Sequence, residues 1–180
     1  MNDKLINILA ISGSLKSTSA NTNILRAISK IVPKNVSIHI FDGLDKLPHF
    51  NPELGNDIET VNGFRQQLRE SDGVIFSTPE YAFGVPGVLK NALDWVVSSG
   101  ELNEKPVVVI SASPLYSGGD KALASLLLTL TALGANMGAG SSLSIASIKS
   151  KITDAGEITS DDTITELKII LDGLLKRIIL

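Results

Sequence analysis

The chain has 180 residues, 43% of them hydrophobic and 19% charged, which suits a single domain over residues 1–180 and excludes a disordered polymer. Lys and Arg total 16 against 19 Asp and Glu, a net charge of −3, so nothing in the overall charge draws the chain to nucleic acid or an anionic membrane. With no cysteine and two histidines, thiolate zinc sites, iron–sulfur clusters, disulfide frameworks and cysteine nucleophiles are excluded, and no metal site is expected.

Short apolar runs alternate with longer stretches of helical spacing. Residues 5–11 (LINILAI) form the first run, and it is too short for a signal-peptide core with its cleavage site. Residues 37–41, 74–77, 107–110 and 143–145 are the others. The first, third and fourth are almost continuously apolar and rich in Ile and Val, as strands buried on both faces of a parallel sheet must be. Helices are predicted over 21–32, 58–71, 87–98, 120–133 and 162–180. In the second, Ile58, Val61, Phe64, Gln67 and Leu68 share a face opposite Glu59, Gln66 and Arg69. The last begins with Asp161, Asp162 and Glu166 and ends with Lys176 and Arg177, in favourable sense for the helix dipole. Residues 147–159 read as a loop. No run approaches the ~20 apolar residues of a spanning helix; residues 123–137 come nearest but are broken by Thr129, Thr131, Gly134 and Asn136. The pattern predicts an α/β three-layer sandwich on a five-stranded parallel sheet, in a cytoplasmic protein.

Two loops after strands carry the chemistry. The first runs from Ser12 through Gly13, Ser14, Leu15, Lys16, Ser17, Thr18, Ser19, Ala20 and Asn21 to Thr22. It is dense in hydroxyls, holds one cation and leads into a helix, whose N-terminus offers free N–H groups to an anion. Asn21 stands where a capping residue is expected. Neither G-x-G-x-x-G nor G-x-x-x-x-G-K-[ST] is present, so neither the dinucleotide nor the nucleoside-triphosphate loop fits. A terminal phosphomonoester does, and so does an ordinary Ser-rich surface loop with a helix cap. The second loop runs from Thr78 to Gly87 and is stiffened by Pro79 and Pro86. It holds Tyr81 and Phe83 beside backbone amides, as a flat heterocycle with polar edges requires. No G-x-S-x-G elbow supports a hydrolase. His39 and His49 accompany no nucleophile motif.

These stretches resemble the NADPH-dependent FMN reductase family, which has a flavodoxin-like fold and includes azoreductases, chromate reductases and quinone reductases. Residues 13–21 (GSLKSTSAN) are similar to the family's G-S-x-R-x-x-S-x-N loop. Residues 79–95 (PEYAFGVPGVLKNALDW) are similar to its P-E-Y-N…P-G-x-L-K-N-A-I-D-W signature, and residues 111–119 (SASPLYSGG) to the loop after its fourth strand. Residues 47–52 (LPHFNP) are more weakly similar to the loop after its second strand. The resemblance implies FMN at the carboxyl end of the sheet. Ser14, Lys16, Ser19, Ala20 and Asn21 then surround the phosphate, Pro79, Glu80, Tyr81 and Ala82 the ring, and Ser113, Gly118 and Gly119 the rim.

It further implies NADPH or NADH as hydride donor and a quinone, free flavin, azo compound or metal oxyanion as acceptor. The flavin carries the chemistry, and no side chain is expected to be catalytic; Glu80 is expected to anchor its loop. Lys16 stands where the family usually has Arg, Ala82 where it has Asn, and Leu115 where Gly is common. Lys90, Asn91, Asp94 and Trp95 are expected to fix their helix to the sheet or to a second subunit. The apolar helices around 88–97 and 123–133 point to a homodimer or homotetramer. A non-enzymatic electron carrier of flavodoxin type is the alternative, disfavoured by the modest charge of −3. A non-catalytic partner-binding or redox-sensing protein is the third reading.

Overall fold

A computed structural model of the chain describes residues 4–54, 57–153 and 155–180. Its centre is a five-stranded, all-parallel sheet in the order β2-β1-β3-β4-β5, built from β1 (Ile6–Ser12), β2 (Val36–Phe41), β3 (Gly73–Thr78), β4 (Val107–Ala112) and β5 (Ser142–Ile145). This is the doubly wound flavodoxin-like order, and the chain reverses its direction of travel across the sheet between β1 and β3. Both β3 and β4 are buried at every position. That burial is why they read in the sequence as unbroken apolar runs.

Alternate side chains of the same strands feed two separate cores. Ile6, Ile8 and Ala10 of β1 join Ile75, Val108 and Ile110 against α1 (Ala20–Ile31) and α5 (Asp161–Ile179) through Ile24, Leu25, Ile28, Leu167, Leu171 and Leu174. Leu9 and Ile11 of β1 join Phe76, Val107 and Val109 on the opposite face. There α2 (Glu59–Glu70), α3 (Gly87–Asp94) and α4 (Asp120–Ala132) supply Val61, Phe64, Leu68, Leu89, Leu93, Leu126 and Leu130. Each such side chain contributes about 1.5–3 kcal/mol by leaving water. The expected three layers are therefore present, two helices on one face and three on the other.

Several boundaries move. The helix expected over 87–98 ends at Asp94, because Val96 and Val97 donate to Leu93 and Asp94 in i→i−3 bonds that tighten the last turn. There Arg65, a buried cation on the face of α2 expected to be apolar, donates through Nε and Nη2 to the Trp95 carbonyl at 3.2 and 2.7 Å. Most apolar residues of α3 are consumed by its own core; Val97 and Leu128 remain on the outside, 61% and 74% exposed. Residues 147–159 are more than a loop. They form a short 3₁₀ turn at Ile148–Ser150 and then a narrow hairpin in which Ile152 bridges Ile158. Helix α5 starts at Ser160, whose Oγ accepts the Thr163 N–H, with Asp161 and Asp162 in the first turn and Lys176 and Arg177 in the last. Among the described residues no helix is long and apolar enough to cross a membrane.

Candidate active site

The pairings Ser12–Ser77 and Thr78–Ser111 bring the ends of β1, β3 and β4 to one edge of the sheet. The loops that follow them enclose a cleft of about 730 Å³, within the range of small-molecule sites. One end is polar. Ser14, Lys16, Thr18 and Ser19 line it together with the start of α1. The Ser14 Oγ accepts the Lys16 N–H at 3.3 Å and the Lys16 carbonyl accepts the Ser19 N–H at 3.0 Å, so the loop folds back on itself. The first α1 amide with an acceptor is Asn23, which donates to the Ser19 carbonyl. Those of Ala20, Asn21 and Thr22 have none among the described residues. The cap residue is Ser19, and its side chain takes no helix N–H. Three open amides, uncommitted hydroxyls and one lysine make a donor set suited to a dianionic phosphomonoester.

The other end is lined by Pro79, Tyr81, Ala112 and Pro114. These walls are apolar and fixed in φ at two prolines. An end rich in anion donors joined to an apolar end fits FMN. Among the described lining residues there is no carboxylate and no imidazole. His39 and His49 are exposed and line no part of the cleft.

Asn21 departs from its expected role. It is not the helix cap but a core residue, 3% exposed. Its Nδ2 donates to the Ala112 carbonyl at 3.2 Å and its Oδ1 accepts from Ser77 Oγ at 3.0 Å. The carboxamide thus ties the start of α1 to the ends of β3 and β4, and Asn21 also lines the cleft.

Of the remaining expected residues, Ser14, Lys16, Ser19, Ala20, Pro79 and Tyr81 line the cleft; Glu80, Ala82, Ser113, Gly118 and Gly119 do not. Glu80 turns its carboxylate to α4, where Oε2 accepts the N–H groups of Lys121 and Ala122. The buried Ser113 uses its Oγ to accept the Leu115 N–H. Gly118 and Gly119, at φ 63 and 84, carry the chain over the end of β5 into α4; a Cβ on Gly118 would run into Ser144 Oγ. Ala82 and Phe83, at φ 50 and 60, form the tip of a turn closed by reciprocal bonds between Tyr81 and Gly84, N···O 3.1 and 3.0 Å. Two left-handed residues in succession are the geometry that favours Asn-Gly, and here Phe83 is held 79% exposed.

The helix following this turn, expected to be fixed to the sheet or to a second subunit, is bonded through Asn91 and Trp95 to the loop after β2. Asn91 Nδ2 and Trp95 Nε1 both donate to the Pro48 carbonyl, at 2.9 and 2.8 Å, and Asn91 Oδ1 accepts the Phe50 N–H. Phe50 stands edge-on to Trp95 with ring centroids 5.1 Å apart. Lys90 pairs with Asp94 at 2.6 Å within the helix. Lining residues absent from the sequence reading are Ile148, Lys149, Ile152 and Thr153. They lie about 130 positions from Lys16 with no periodic or motif signal to place them.

The two basic groups whose proton affinity burial lowers, Lys105 and Arg177, lie at the other edge of the sheet. There Lys105 Nζ donates to the Ser71 carbonyl at 2.6 Å, and Arg177 Nη2 to that of Val107 at 3.2 Å.

Comparison with known proteins identifies relatives in sequence and fold. Residues 6–149 match the family described as NADPH-dependent FMN reductase. An NAD(P)H-dependent FMN reductase of Pseudomonas aeruginosa is 38% identical over 133 residues, 71% of each chain. A quinone reductase of Escherichia coli is 31% identical over 144 residues, 76% of each. The solved structure of FerB, a flavoenzyme NAD(P)H:(acceptor) oxidoreductase from Paracoccus denitrificans, superposes with a TM-score of 0.86 at 27% identity, covering 96% of this chain and 97% of that one. The chain belongs to the NADPH-dependent FMN reductase family.

Proposed function

We propose that this protein takes hydride from NADPH or NADH and, with FMN bound in the cleft, reduces a small acceptor of the quinone class. Family membership makes the chain an NAD(P)H-dependent FMN oxidoreductase. The quinone acceptor is carried over from the E. coli relative; free flavin, azo compounds and metal oxyanions are the other candidates. The observation that carries the reading is one cleft with open helix amides at one end and proline-stiffened apolar walls at the other.

Bound FMN supplies the hydride-accepting and hydride-donating chemistry. The chain's own residues bind and orient. Ser14, Lys16, Ser19 and the amides of Ala20, Asn21 and Thr22 hold the phosphate, and Lys16 neutralises part of its charge as a point charge where a guanidinium would fork. Pro79 and Tyr81 border the ring, with the backbone of Glu80 and Ala82 at its edge. Glu80 holds its loop against α4 and leaves the chemistry to others. Ser113, Gly118 and Gly119 shape the rim by setting the course of the chain from β4 into α4. A cleft free of described carboxylates and imidazoles suits hydride transfer between two cofactors and offers little to a hydrolase.

The assembly we favour is a homodimer or homotetramer. Tyr81, Phe83, Leu115 and Tyr116 stand exposed on the loops after β3 and β4, Val97 on the turn after α3 and Leu128 on α4, apolar surface of the kind a second subunit would cover. The place of work is the cytoplasm, where reduced nicotinamides are available. Purified protein loaded with FMN is expected to be yellow, to bleach under anaerobic NADPH or NADH, and to regain colour on adding a quinone. FMN uptake without bleaching by either nicotinamide would defeat the reductase reading and favour the electron carrier.

A further inference from the structure

The cleft has a second basic wall. The segment after β5 contributes Ile148, Lys149, Ile152 and Thr153 to the same cleft that Lys16 lines. Backbone bonds hold the start of this segment. Ser147 N donates to the Leu115 carbonyl at 3.1 Å, and Ile148 N to that of Ser113 at 3.0 Å. Ile148 is itself part of the core. Lys149 therefore projects from a fixed turn, although its own side chain is exposed.

The rest of the segment locates it at the phosphate end. The hairpin closed by Ile152 and Ile158 lies against the first turns of α1, and Gly156, at φ 84, sits so near Asn23 that a Cβ there would run into the Asn23 carboxamide. Asn23 in turn accepts from Arg26 Nη1 at 2.7 Å, and the same nitrogen donates to the Ser17 carbonyl at 3.3 Å. Helix start, phosphate loop and hairpin are thus one packed unit, and Thr18, Ser19, Ala20 and Asn23 share the cleft with Lys149 and Thr153. A phosphomonoester carries about −1.5 to −2 charges near pH 7, and among the described residues Lys16 is the one cation that the α1 side brings to this cleft.

We infer that Lys149 is a second phosphate-binding residue, adding its charge to that of Lys16 at the FMN phosphate. This rests on the flavin reading above. The chain departs here from a site built from the β1–α1 loop alone. It divides the neutralising charge between two lysines on two elements, and the family match ends at the residue concerned, with the hairpin that buttresses it lying beyond.

Riboflavin, which lacks the phosphate, separates this contact from every other contribution. Titrating the apoprotein with FMN and with riboflavin, followed by quenching of flavin fluorescence, is expected to show Lys149→Ala binding FMN roughly tenfold more weakly than the unsubstituted chain, as loss of one charge-assisted contact implies. Riboflavin affinity is expected to stay the same. Lys149→Arg is expected to keep FMN affinity within about threefold, and the salt dependence of FMN binding to flatten in Lys149→Ala. Equal FMN affinity in Lys149→Ala and the unsubstituted chain overturns the inference, as does an equal loss for both flavins. Failure of the unsubstituted chain to take up FMN at all would instead sink the flavin reading on which it stands.

Discussion

Glu80 and Ala122 meet at the start of α4, with Glu80 Oε2 accepting the Ala122 N–H at 3.0 Å and the neighbouring Lys121 N–H at 2.9 Å. A carboxylate at a helix N-terminus satisfies amides that lack an intrahelical partner and opposes the helix dipole. The residue within P-E-Y that looks most like an acid is therefore occupied as a helix cap supplied from another loop. Glu80→Ala is expected to lower unfolding stability by about 1–2 kcal/mol. The pH profile of turnover is expected to keep its shape; a titrating limb that disappears in Glu80→Gln would contradict the capping role.

The bond pair at Asn21 predicts a larger loss. Replacing Asn21 with Ala strands the Ser77 hydroxyl and the Ala112 carbonyl inside the core, at about 1–3 kcal/mol for each group left unpaired. Urea unfolding is expected to show a midpoint well below that of the unsubstituted protein. An unchanged midpoint would mean that the carboxamide bonds contribute nothing net.

The turn at Ala82 and Phe83 predicts a gain. Left-handed backbone costs an L-residue roughly 1–2 kcal/mol, and glycine escapes that cost. Since Phe83 is mostly in water, Phe83→Gly forfeits little burial and is expected to raise stability by up to about 1 kcal/mol. Thermal unfolding in dilute monomeric conditions measures this. The same variant is expected to weaken subunit association in light scattering if Phe83 belongs to the interface.

Lys105 supplies a pH signature. Burial pushes its ammonium below the usual 10.5, with Asp72 pulling weakly the other way. Between the lowered folded value and 10.5 the unfolded chain binds more protons, so stability rises with pH through that window and levels off above it. The difference in urea midpoint between the unsubstituted chain and Lys105→Met is expected to grow across that alkaline interval. A difference independent of pH would refute the assignment.

How far the sequence could be read depends on what each residue answers to. The strands β1, β3 and β4 were legible because burial on both faces leaves them uniformly apolar, and the helices of both layers because their spacing repeats. The end of α3 was not, since it is set by Arg65 reaching the Trp95 carbonyl from another helix. Asn21 looked like a cap because Asn prefers caps; its burial follows from two partners far away in sequence. The hydroxyl-rich loop after β1 and Pro79–Tyr81 stood out by composition and motif, whereas Ile148–Thr153 joined the cleft only through tertiary packing.

The sheet itself holds a further consequence. With β3 and β4 both buried throughout, sliding one of them a residue along the other would still bury oil against oil, so hydrophobicity alone does not choose their alignment. The polar knot of Asn21, Ser77 and Ala112 can be tied in one alignment only. It acts as an index mark for strand registration, and an Asn21→Leu chain is expected to retain its secondary structure by circular dichroism while its amide NMR spectrum multiplies into several sets of peaks.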